Sequence, residues 1–158
     1  MTLRTNEILY RIQKALQLSI DEMLEIYALE KYDMQAQHLE SLLKRYRDKD
    51  FIPCSYEELG LFLDGLVTLK RGPSPKPKDV DVTLSNNLIL KKLRIALELK
   101  EAETEIIFSL ADMTLSKQQL SSLFRKETHK NFKACSDELL VAFLEGLDEF
   151  YYVGDLEE

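Results

Sequence analysis

Glycine, histidine and cysteine are scarce in this chain of 158 residues, and each scarcity closes off a class of chemistry. None of the five glycines stands in a Gly-x-x-x-x-Gly-Lys, a Gly-x-Gly-x-x-Gly or a Gly-x-Ser-x-Gly arrangement, so phosphate-cradling loops and the nucleophile elbow are missing. His38 and His129 have no second histidine or cysteine three or four residues away, which leaves no metal-ligand spacing. Two cysteines are too few for a disulfide framework. No apolar run approaches the roughly 18 residues of a membrane span, and no partner membrane is expected. Met1 to Asn6 lacks a charged leader followed by an apolar block, so the expected compartment is the cytoplasm. Runs that alternate apolar and polar residues between turn dipeptides are also missing, which excludes a sizeable sheet.

What is present is the balance of a globular chain, 45% hydrophobic and 31% charged. The net charge of -7 weighs against non-specific attraction to polyanions.

The chain also repeats itself. Residues 6–66 align with 87–147 at a constant offset of 81 without a gap, and more than a third of the positions are identical. Asn6, Ile8 and Leu9 recur as Asn87, Ile89 and Leu90; Gln37, Leu39, Ser41 and Leu42 recur as Gln118, Leu120, Ser122 and Leu123. The densest block, Phe51, Cys54, Ser55, Glu57, Phe62, Leu63, Gly65 and Leu66, recurs as Phe132, Cys135, Ser136, Glu138, Phe143, Leu144, Gly146 and Leu147. Between the copies lies Gly72-Pro73-Ser74-Pro75-Lys76-Pro77-Lys78, whose prolines fix φ and remove amide donors. This divides the chain into a first helical repeat, 1–72, a Pro-rich linker, 73–85, and a second helical repeat, 86–158.

Each repeat reads as four helices. Asn6 is expected to cap the first, running to Leu18 with Ile8, Leu9, Ile12, Ala15 and Leu16 inward. Ser19 with Glu22 forms a capping box for the second, and Lys100 weakens the corresponding cap. The third is expected from about Gln35 to Asp48, with a capping box of Ser116 and Gln119 in its counterpart. The fourth starts after Ser55, with Glu58 three residues on. The expected fold is all-α: two tandem pseudo-symmetric four-helix repeats, about eight helices, in contact with each other because a bundle of about 60 residues is marginal alone. A monomer or a homodimer is compatible with this arrangement.

The recurring Phe-x-x-Cys-Ser-x-Glu, the following Phe-Leu-(Asp/Glu)-Gly-Leu, the opening Asn-x-Ile-Leu and the Ala-Leu-x-Leu step resemble the YehS-like family of small bacterial proteins. The resemblance covers residues 6–72 and 87–147. It implies two copies of a helical domain of unknown function and a cytosolic location, and it brings no activity, cofactor or partner with it. Two places depart from the pattern: Tyr56 stands where the second copy has Asp137, and Arg71-Gly72 is replaced by Tyr152-Val153.

The candidate sites each have two readings. Cys54 and Cys135 precede a helix start, where the dipole favours a thiolate, but each also occupies the staple position opposite Leu59 or Leu140, and the packing role is preferred. The carboxylates Glu57 and Glu58, and Glu101, Glu103 and Glu105, have the chemistry for acid–base work or cation binding, but as early-helix acids near the positive end of the dipole they have an ordinary explanation, which is preferred. Gly65 and Gly146, inside the fourth helix, mark a close approach to the first helix of the same repeat or to the other copy. The second and third segments have the order of a helix-turn-helix, and the third is expected to end in basic residues: Lys44, Arg45, Arg47 and Lys49, then Arg125, Lys126, Lys130 and Lys133. These eight are the candidate nucleic-acid contacts of an alternative reading, although both halves carry more acids than bases. The leading expectation is a non-catalytic binding protein without cofactor or metal, taking a protein partner at the surface or groove of its two repeats; the alternative is a nucleic-acid-binding regulator.

Overall fold

A computed structural model describes residues 3–73 and 84–152. Most of the expected linker, residues 74–83, and the Val153 departure lie outside the described residues. The first repeat forms α1 (Thr5–Leu16), α2 (Ile20–Leu29), α3 (Ala36–Leu42) and α4 (Tyr56–Arg71); the second forms α5 (Asn86–Ala96), α6 (Glu101–Leu110), α7 (Lys117–Leu123) and α8 (Asp137–Phe150). No strand occurs among the described residues.

The capping boxes form where the sequence places them. Ser19 accepts from the Glu22 N–H at 3.1 Å while Glu22 accepts from the Ser19 N–H at 2.8 Å, and Ser55 with Glu58 repeats the exchange. In the second copy only half of the first box survives: Glu103 accepts from the Lys100 N–H at 2.8 Å, and a lysine side chain has no acceptor to reciprocate. With so few glycines, non-glycine residues take the left-handed turns that end the helices. Gln17 (φ 54) and Glu98 (φ 53) occupy one such position, Lys31 (φ 59) and Asp112 (φ 60) the next. These pairs obey the offset of the repeat.

Three sequence expectations change. Arg4, not Asn6, is the N-cap of α1, and Asn6 lies buried within the helix. The third helix is only seven residues long in each copy, so every basic residue expected at its end stands in the loop that follows. Gly65 and Gly146 face the second helix rather than the first. A methyl group on Gly65 would overlap the Ile26 carbonyl oxygen and lie 2.8 Å from Ile26 Cγ2, and one on Gly146 would overlap the Ile107 carbonyl oxygen. Absence of Cβ therefore lets α4 settle on α2, and α8 on α6.

The repeats are interlocked. α2 packs on α4 and α6 on α8 within each copy, whereas α1 packs along α8 and α4 along α5, across the copies. The Leu3 N–H donates to Asp137 Oδ2 at 3.2 Å, Arg11 Nη1 lies 4.0 Å from Glu145 Oε1 and Lys14 Nζ 3.5 Å from Asp148 Oδ2. All three pairs share a separation of 134 residues, so α1 and α8 run parallel. The equivalent of Arg11–Glu145 is Lys92–Asp64, a half-buried ion pair between α5 and α4. Tyr27 on Phe62 and Phe108 on Phe143, with ring centroids 5.6 and 5.3 Å apart, are matching tilted contacts in the two cores. Leu9, Ile12, Leu90 and Leu93 on α1 and α5 are wholly buried, each contributing roughly 1.5–3 kcal/mol. Duplication thus supplies the cover that a single small repeat lacks.

Candidate functional site

One asparagine amide per repeat, buried at Asn6 and half-buried at Asn87, shapes the segment that follows the third helix. Asn6 Nδ2 donates to the carbonyl oxygens of Leu42 and Ile52, both at 2.8 Å, and Oδ1 accepts from the Cys54 N–H at 2.9 Å. Asn87 makes the same three bonds to Leu123 O (2.9 Å), Lys133 O (2.9 Å) and the Cys135 N–H (2.8 Å). The returning chain closes on the third helix through Ile52 N–H to Ser41 O at 3.3 Å, and Lys133 N–H to Ser122 O at 3.0 Å. Each third helix and its loop are thereby held as one unit.

An open groove results at the same place in both copies. In the first repeat it has a volume of about 850 Å³ and is lined by Gln35, Gln37, His38, Glu40, Ser41, Lys44, Asp50 and Ile52. In the second it has about 750 Å³, with Gln118, Gln119, Ser121, Ser122, Arg125, Asn131 and Lys133 at positions related to the first by the offset of the repeat, joined by Glu101, Lys117, Lys130 and Phe132. Shape is shared, but charge is not. The first groove sets one lysine against two carboxylates, and the second sets Lys117, Arg125, Lys130 and Lys133 against Glu101 alone.

The eight basic residues picked from the sequence therefore divide. Arg125, Lys130 and Lys133 meet in the second groove, with Lys126 exposed beside it. Lys44 edges the first groove, while Arg47 and Lys49 are exposed and line neither. Arg45 faces a separate cleft of about 690 Å³ between α1 and the loop, where Arg4 stacks on Tyr46 at 3.6 Å and Arg11 is engaged by Glu7 at 2.8 Å. Lys117 and Asn131 complete the second groove; aligning the copies by their offset, rather than scanning for basic runs, would have pointed to Asn131.

His38 differs from a simple surface histidine. Its Nε2 lies 2.6 Å from Glu58 Oε2, tying α3 to the cap of α4. Burial works to raise the Glu58 carboxyl, but the Ser55 N–H, the His38 ring and the Ser55 hydroxyl outweigh it and hold the group below the usual glutamate range. The second copy has Gln119 and Leu139 at these positions and no such pair. Cys54 and Cys135 are free and buried, and burial pushes both thiols up to about 12. That environment opposes a thiolate, and both residues are part of the hydrophobic core. Among the described residues no group of three or more His, Cys, Asp or Glu is placed to hold a metal, and no helix is long and apolar enough to cross a membrane.

The family model described as "Protein of unknown function (DUF1456)" matches residues 5–72 and again 86–151. The uncharacterized protein YehS of Escherichia coli (strain K12) is 31% identical over 145 residues, covering 90% of this chain and 93% of that protein. No solved structure matches the chain.

Proposed function

From the premise that this chain belongs to the DUF1456 family, whose description assigns no activity, we propose that it is a non-catalytic binding protein that takes a protein partner in the grooves beside α3 and α7. The observation that supports this is the recurrence of the same open, polar groove in both copies, built on the same asparagine. The protein acts in the cytoplasm, and the interlocked repeats let it act as a monomer. Amide and hydroxyl side chains on the groove walls suit the backbone and polar side chains of an extended segment.

The test is site-specific photo-crosslinking in cells from positions Gln37 and Gln118 of the full chain, with Glu25, exposed on α2, as the control. The expected result is a protein adduct from both groove positions and none from Glu25. Equal labelling from Glu25, or adducts removed by nuclease, would contradict the reading.

A nucleic-acid-binding regulator is the second reading, favoured by the four cations of the second groove. It predicts binding that weakens steeply with salt and is lost when Lys117, Arg125, Lys130 and Lys133 are changed to glutamate. Retention of binding in that variant would exclude this face.

A further inference from the structure

We infer that the second groove is a recognition site for an acidic polypeptide segment, rich in carboxylates or phosphorylated serine, and that the first groove is not. This rests on the reading of the grooves as binding sites. The duplication acts as an internal control: the two grooves share position, framework and approximate volume, so the frame alone does not account for the charge they differ in. Lys117, Arg125, Lys130 and Lys133 are exposed, and none is ion-paired among the described residues. What sets these four apart is that they gather on one groove with a single carboxylate, Glu101, whereas the matching groove of the first repeat has one lysine and two carboxylates. Four cations converging on one polar groove against a single carboxylate, in a chain of net charge -7, form a local positive field against a negative background.

Two features favour a peptide over a nucleic acid. The only ring in the groove is Phe132, which is half-buried, so a stacking platform for bases is lacking. An extended polyanion would also run beyond the groove into the field of a net acidic protein, whereas a short acidic segment senses mainly the charges within a Debye length of about 8–10 Å. Gln118, Gln119, Ser121, Ser122 and Asn131 provide neutral donors and acceptors for the peptide backbone between the charged contacts.

The experiment is a fluorescence-anisotropy titration of the full chain with labelled octaglutamate, octaserine and a short single-stranded oligonucleotide. Octaglutamate is expected to bind more tightly than the other two, and its affinity is expected to fall as salt is raised. R125E/K130E should weaken octaglutamate binding by about tenfold or more, R125Q/K130Q by less, and K44E in the first groove by no more than about twofold. Lack of preference over octaserine, an unchanged affinity in R125E/K130E, or equal damage by K44E would overturn the proposal. So would tighter oligonucleotide binding through the same side chains. Photo-crosslinks to protein from both grooves together with no octaglutamate binding would overturn the acidic specificity while leaving the groove reading standing.

Discussion

Asn6 accepts the Cys54 backbone N–H at 2.9 Å, and this bond joins the first turn of α1 to the core residue that opens α4. With the two carbonyls it also holds, the Asn6 side chain satisfies three backbone groups at once. Asn6→Ala removes all three bonds, two of them buried, and a destabilisation of about 2 kcal/mol is expected in urea unfolding. Asn87→Ala should cost less, since its three bonds are the same but lie at a more exposed site where water can replace them. A change below about 0.5 kcal/mol in both would show that water replaces the amide.

The glycines of α4 separate propensity from packing. Gly60 has nothing within 4 Å of an added Cβ, whereas Gly65 meets the Ile26 carbonyl. Gly60→Ala should stabilise by about 0.5–1 kcal/mol, and Gly65→Ala and Gly146→Ala should destabilise despite the same gain in helix propensity. Thermal unfolding of the three variants checks the sign of each.

Much of the frame is legible in the sequence, because it depends on local signals. Ser19, Ser55 and Ser116 announce their helices through partners three residues away, and the offset of the repeat declares two copies of one unit. The length of α3 is not legible. Leu43 and Tyr46 continue its apolar spacing, and the basic residues beyond look like a helix C-terminus. The Leu42 carbonyl would accept from the Tyr46 N–H in a longer helix, but Asn6 Nδ2, 36 residues away, occupies it. Contacts between copies are hidden for a similar reason, since no spacing rule connects Arg11 with Glu145. The candidate groove is half legible: its cations are visible as clusters, but which of them share a wall depends on the returning loop.

Acid should act on the first repeat through Glu58. Its carboxyl is held below the usual value in the folded state, so its contribution is present above the unfolded value of about 4.3 and is lost as pH falls through the folded one. Glu58→Gln keeps a capping oxygen but removes the charge beside His38. The variant should be less stable than the parent at neutral pH, and the two should converge below about pH 4. A stability difference that persists unchanged in acid would contradict this assignment.

The thiols should be quiet. With Cys54 and Cys135 buried and pushed up to about 12, alkylation of the native protein at neutral pH should be far slower than in a denatured control. Native rates equal to the denatured ones would show that both sites open readily and would restore a thiol-based role.

The central claim is that one duplicated frame carries two grooves whose charges alone set what they hold. It is tested most directly by calorimetric titration of octaglutamate into the parent and into E40S/D50N/I52K, which gives three positions of the first groove the residues that stand at Ser121, Asn131 and Lys133 in the second. The account predicts a single binding site per chain in the parent and a second in the variant, with the helical content of both unchanged. A stoichiometry that stays the same in a folded variant would contradict it.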